Sequence, residues 1–154
     1  MDHPPPSQPA LSHDVRMPPR TTWTQKLAKP GEPIVKPLDK PFAGHTVGDL
    51  MLISTPAEID RRVRRLRRGT ALTVPEFRAR LAKNAGADFA CPLTTGIFLR
   101  IVAEAALERV AQGEDVESIT PFWRAIDPES ALASKLSCGA AYVKRMRRNE
   151  GMPS

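Results

Sequence analysis

Few side chains in this sequence could perform covalent chemistry, and their spacing limits what they could do. The two cysteines, Cys91 and Cys138, stand 47 residues apart and form no Cys-x-x-Cys pair. Such sparse use fits free thiols in a reducing compartment rather than a disulfide framework or a zinc ribbon. Cys91 precedes Pro92 at the expected N-terminus of a helix, where free N–H groups and the helix dipole lower a thiol pKa. A nucleophilic Cys91 therefore stands as an alternative to a buried core thiol. No base is at hand for it, because His3 and His13 lie in the first residues of the chain and His45 in a proline-rich arm. The same scatter supplies no metal-ligand spacing, so neither a metal nor a cofactor is expected.

The denser signal is cationic. Six of the eight residues 61–68 are arginine (Arg61, Arg62, Arg64, Arg65, Arg67 and Arg68). With Arg78, Arg80 and Lys83, residues 61–83 carry nine basic and one acidic side chain, +8 against a formal +6 for the whole chain. The remainder is slightly acidic, so the positive field is focused. Arginine offers phosphate oxygens a planar fork of donors, and phosphate contacts release counterions in a salt-dependent way. The run reads either as a phosphate-binding face for DNA or RNA, or as the solvated side of a helix.

These residues must be positioned by a modest domain. The 154 residues are 41% hydrophobic and 26% charged, ordinary globular values. Ten of the 16 prolines fall in residues 1–42, which separates a leader from a folded domain of about 110 residues. Residues 1–20 read as a disordered Pro-rich tail. Residues 21–55 read as an extended arm, with a short helix that docks Trp23 and Leu27 and a strand at 48–54. From Pro56 the period becomes helical: Ile59, Val63 and Leu66 form one stripe, with Gly69 as the stop. Thr73 and Glu76 fit a capping box that opens a helix over 75–84, burying Phe77 and Leu81. Cys91-Pro92 opens a longer helix over 93–112, whose Ile97, Phe98, Ile101, Val102, Ala105 and Ala106 form the expected buried face, ended by Gly113. A last helix over 139–150 should turn Tyr142, Val143 and Met146 inward, and Lys144, Arg145, Arg147 and Arg148 largely outward. The expected fold is mainly α: a winged helix-turn-helix-like three-helix core with a C-terminal helix and a short N-terminal extended arm containing a strand. No stretch is apolar enough to span a bilayer and no secretory signal opens the chain, so a soluble cytoplasmic protein is expected, associated with the nucleoid if bacterial.

Three segments, in order, resemble a known family. Residues 63–77 look like the helix, glycine turn and helix of the C-terminal winged-helix domain of the O6-alkylguanine-DNA alkyltransferases. Thr120-Pro121-Phe122-Trp123-Arg124-Ala125-Ile126 resembles that family's "Ile-Pro-Cys-His-Arg-Val-Val" active-site motif, and the stretch from Gly139 to Gly151 resembles its closing helix. The resemblance covers about residues 56–151. It places Phe122 at the acceptor cysteine, Trp123 at the histidine that activates it and Glu150 at the glutamate that orients the histidine. Neither aromatic can act as nucleophile or base, so alkyl transfer by the family's mechanism is excluded. The chain is thereby similar to the non-catalytic alkyltransferase-like proteins, which bind alkylated guanine in DNA without repairing it, although those carry Trp followed by His.

The resemblance implies a set of roles. Arg61, Arg64, Arg65, Arg68, Arg78, Arg80 and Lys83 would grip phosphates. The helix after Pro92 would enter a groove of double-stranded DNA with Thr94, Thr95 and Arg100. Val74, Phe122, Trp123 and Arg124 would line a base pocket, where an aromatic pair could stack on an extruded base. Phe122 and Trp123 could equally fill the core, and Arg124 could be the structural ion-pair partner of Glu150. The partners implied are DNA, alkylated or not, and a downstream repair protein, with the chain itself a monomer. A winged-helix regulator or interaction module without lesion recognition is the alternative.

Overall fold

The computed structural model describes residues 21–152, so the tail expected at 1–20 lies outside the described residues. Thr22 opens α1 (Trp23–Leu27) with a capping box: its hydroxyl accepts the Gln25 N–H while the Gln25 side chain accepts the Thr22 N–H. The next free amides of this short helix, those of Trp23 and Thr24, donate to the carboxylate of Glu108 at 3.1 and 2.9 Å. A remote carboxylate thus satisfies the orphan donors of a helix too short to stand alone.

The prolines that follow keep the chain extended into β1 (Ile34–Pro37), which pairs antiparallel with β2 (Leu50–Ile53). Between them the loop closes where Phe42 and His45 exchange backbone hydrogen bonds. Ala43 and Gly44, with φ of 54° and 82°, supply the left-handed pair that a tight two-residue turn requires.

Three helices then build the body: α2 (Pro56–Arg64), α3 (Val74–Ala85) and α4 (Pro92–Ala111). Thr55 caps α2 and Thr73 caps α3, the latter with the Glu76 capping box expected from the sequence. A two-residue strand, β3 (Phe89–Ala90), pairs parallel with β2 and completes a three-stranded sheet in the order β1-β2-β3. A 3-10 turn (Phe122–Arg124), α5 (Ala131–Lys135) and α6 (Gly139–Asn149) follow. The protein is mainly helical with one small sheet. No helix among the described residues is long and apolar enough to cross a membrane.

Helix α4 is the centre of the core. Leu99, Val102 and Ala103 are fully buried in it, and it packs against α1, α2, α3 and the 3-10 turn. Being covered from several sides, it has no single apolar stripe. Ile97, expected on the buried face, is 49% exposed, while Leu99 and Ala103 hold the core. A second small cluster of Leu38, Met51, Phe89 and Cys91 lies against the sheet.

Two further expectations are corrected. Helix α2 ends at Arg64 rather than at Gly69, because the Arg65 N–H turns back to the carbonyls of Arg62 and Val63. Arg65, Arg67 and Arg68 therefore sit in the turn after the helix. Arg147, expected outward, is 5% exposed. Its place on α6 explains why: Val143, Met146, Arg147 and Glu150 recur at i, i+3, i+4 and i+7, one helix face.

Candidate functional site

The polar residues with the most partners gather where α6 meets the 3-10 turn. The carboxylate of Glu150 accepts the indole N–H of Trp123 at 2.9 Å, the Nε and Nη2 of Arg124 at 3.0 and 2.8 Å, and the backbone N–H of Gly69 at 3.0 Å. Arg124 also donates Nη1 to the Leu66 carbonyl at 2.8 Å, and its own carbonyl accepts the Leu72 N–H. Arg147 completes the arrangement by donating to the carbonyls of Trp123 and Leu72. Three side chains, those of Arg124, Arg147 and Glu150, thereby fasten the loop 66–72, which joins α2 to α3, onto α6 and the 3-10 turn.

The electrostatics follow from burial and partners. Burial pushes the Glu150 carboxyl up, but hydrogen bonds from Arg124, the Gly69 amide and Trp123 outweigh it and hold the group below the usual carboxylate range. Burial lowers the pKa of Arg147, and the carboxylates of Asp127, Glu129 and Glu76 offset only part of that. Glu150 can thus stay ionised while nearly enclosed, its side chain 4% exposed against 14% for Arg124.

Beside this network opens a cavity of about 370 Å³, walled by Trp123, Arg124, Glu150 and Met146 and flanked by Arg64 and Arg68. That volume is within the range of small-ligand sites, roughly 300–1,000 Å³. Of the four residues expected to line a base pocket, only Trp123 and Arg124 reach it. Phe122 is fully buried, edge-on to Trp123 and stacked on Tyr142 at 6.1 Å, so it fills the core. Val74 lies apart from the cavity, where its N–H is held by the Asp127 carboxylate at 2.8 Å.

The basic residues do not form one uniform patch. Arg61 and Arg62 both bond Glu58, and Arg64 bonds Asp60 at 3.2 Å. Burial raises the Glu58 carboxyl, yet hydrogen bonds from Arg61 and Arg62 bring it below its ordinary value. Arg65 and Arg80 lie together over Leu66 and Leu81 on one flank of α3. Arg78 and Lys83 line a different cavity on the other flank. Among the described residues, no carboxylate forms a salt bridge with Arg65, Arg67, Arg68, Arg78, Arg80 or Lys83.

The expected contacts on α4 are not arrayed for a groove. Thr95 is 1% exposed and donates its hydroxyl to the Cys91 carbonyl at 2.7 Å, because it lies one helical turn after the cap on the inward face. The Thr94 hydroxyl is also buried. Arg100 turns its guanidinium over the Trp23 ring at 5.4 Å, drawn to α1 by that face and by Glu104 at 4.0 Å. The surface that α4 exposes near its start is apolar, with Leu93 65% exposed and Ile97 49% exposed.

Cys91 is 5% exposed among Leu38, Met51 and Phe89, a core thiol without a base. His45 packs on the edge of that cluster and not on the thiol: its ring stacks on Phe89 at 3.7 Å and its Nδ1 meets Asp49 at 3.2 Å. No group of three or more His, Cys, Asp or Glu among the described residues could hold a metal. The residues that sequence reasoning missed are Arg147, which the strict period of α6 would have turned inward, and His45, whose stacking partner is 44 residues away. Compared with protein-family models, with curated proteins and with solved structures, the chain matches none.

Proposed function

We propose that the protein binds DNA as a non-catalytic relative of the alkyltransferases, through a helix-turn-helix unit of the winged-helix kind and without a nucleophile. The observation that carries the reading is the bond from Trp123 to Glu150. The resemblance rests on three segments, and it implies that the residue at the histidine position in the second meets the glutamate of the closing helix, 27 residues further on. Trp123 donates to Glu150 at 2.9 Å, and Arg124 of the same motif is bound to the same carboxylate. This meeting of the two positions is the one that the resemblance implies, and it supports the reading.

The exposed arginines supply the electrostatic half. Helix α3, rather than α4, carries cations suited to phosphate contacts: exposed Arg80 on one flank, and exposed Lys83 with half-buried Arg78 on the other. In the turn before it Arg65 lies on the flank of Arg80, and Arg67 and Arg68 are exposed as well. Each phosphate contact should lower the log–log salt slope of binding by about 0.9.

A second reading, a regulator or interaction module without lesion recognition, is favoured by one observation. Phe122 closes the position where the resemblance would put an open acceptor site. Binding to matched duplexes with and without O6-methylguanine, at two salt concentrations, separates the two. A lesion preference together with affinity that falls steeply with salt is the expected result. Equal affinity for both duplexes leaves only the second reading, and no binding at low salt removes the DNA claim altogether.

A further inference from the structure

We propose that the cavity between the 42–45 turn and α3 is a seat for one unpaired nucleotide of a nucleic-acid strand, with the base against His45 and the phosphate on Arg78 and Lys83. This site is separate from the Trp123–Glu150 cavity and rests on the nucleic-acid reading above. Its volume is about 420 Å³, and its wall combines His45 and Phe89 with Arg78 and Lys83. A nucleotide asks for that pairing of chemistries, a flat π-face beside fixed positive charge.

The histidine ring is presented as a platform. One face lies flat on Phe89, with centroids 3.7 Å apart and planes 4° from parallel, while the side chain remains 34% exposed and borders the cavity. Its in-plane rotation is fixed by Nδ1 against the Asp49 carboxylate, and the same carboxylate holds the Thr46 N–H at 3.1 Å. The left-handed pair Ala43-Gly44 sets this turn against α3, and Ala43 itself borders the cavity. Asp88, the one carboxylate in the wall, accepts the Leu50 N–H at 2.7 Å and so is tied to the sheet. At the opposite wall Ala79 and Ala82 leave room between the two cations. A duplex base is stacked on both sides by its neighbours and cannot use such a platform, whereas an unpaired base can.

The test is binding of the full chain to a fluorescein-labelled 12-mer single strand and to the matching duplex, in the wild type and two variants. His45→Ala removes the platform and should weaken single-strand binding about 5- to 150-fold, the usual range for one stacked base, with duplex binding within about twofold of wild type. His45→Phe keeps a ring on Phe89 and should recover most of the single-strand affinity. A 2-aminopurine placed in the strand should be quenched by the wild type and by His45→Phe, and not by His45→Ala. Single-strand affinity unchanged in His45→Ala, or both ligands weakened equally, overturns the site, while the wild type's duplex binding leaves the nucleic-acid reading standing. A free nucleoside 5′-monophosphate that competes as well as the strand at equal nucleotide concentration also overturns it. A wild type that binds neither ligand overturns the nucleic-acid reading itself, and this site with it.

Discussion

Replacing Glu150 by glutamine removes one charge from the network that fastens α6 to the 3-10 turn. The carboxylate accepts from Trp123, from two nitrogens of Arg124 and from the Gly69 amide, and only an acceptor-only group can face all of these donors at once. A glutamine must aim its NH2 at one of them. The guanidinium of Arg124, 14% exposed, would keep the Leu66 carbonyl and lose its counter-charge. Removing one partner of a buried pair costs about 3–5 kcal/mol, and the remaining carbonyl argues for the lower end, about 3 kcal/mol. For a chain of this size that is a fall in Tm of about 12 °C, read by circular dichroism at pH 7.

The pH dependence adds an independent check. The native Glu150 carboxyl lies below its ordinary value of 4.5, so the stability it supplies is complete above that pH and is lost as the pH falls through the lower native value. The gap between wild type and Glu150→Gln should therefore narrow from pH 5 toward pH 2. The paired replacement Arg124→Met with Glu150→Met should recover part of the loss, since neither charge is then left alone. A Tm for Glu150→Gln within about 4 °C of wild type, or a gap that stays constant with pH, would refute the assignment of the clamp to this ion pair.

Two further outcomes follow from local structure. Thr73→Ala removes the hydroxyl that accepts the Glu76 N–H at 3.2 Å, and should lower stability by about 1 kcal/mol in urea unfolding without changing the slope of the transition. Cys91, 5% exposed, should resist iodoacetamide in the folded protein and react once denaturant is added. Half-buried Cys138, whose thiol is pushed up by burial and by Glu104, should label slowly at neutral pH and faster as the pH rises.

What could be read from the sequence was what short-range chemistry decides. The capping box of Thr73 and Glu76 and the docking of Leu27 against the core depend on residues three or four apart, and both form as expected. Gly69 reads as the stop of α2, whereas the last helical hydrogen bonds turn tighter already at Arg65. Helix α4 is surrounded by partners and carries apolar residues on most sides, so its period says little about which of them meets solvent. The Arg124–Glu150 pair was legible through the motif, but the inward turn of Arg147 was masked by the rule that arginines face water. Its two backbone acceptors, the carbonyls of Leu72 and Trp123, come from loops whose positions no periodicity encodes. The same holds for His45 and Phe89, which meet only because the sheet brings β3 beside β2.

Strand β1 has a consequence for how the protein behaves in concentrated solution. It is the edge of the sheet, all four of its residues are exposed, and Ile34 and Val35 are 55% and 40% exposed. An apolar edge of this kind is a template on which a second molecule could add a strand. Pro33 and Pro37 bracket the pair, neither with an N–H to donate, and Lys36 places a charge beside them. Two prolines of the leader thus act as gatekeepers, cutting the ladder that this edge offers a second molecule to a few donors.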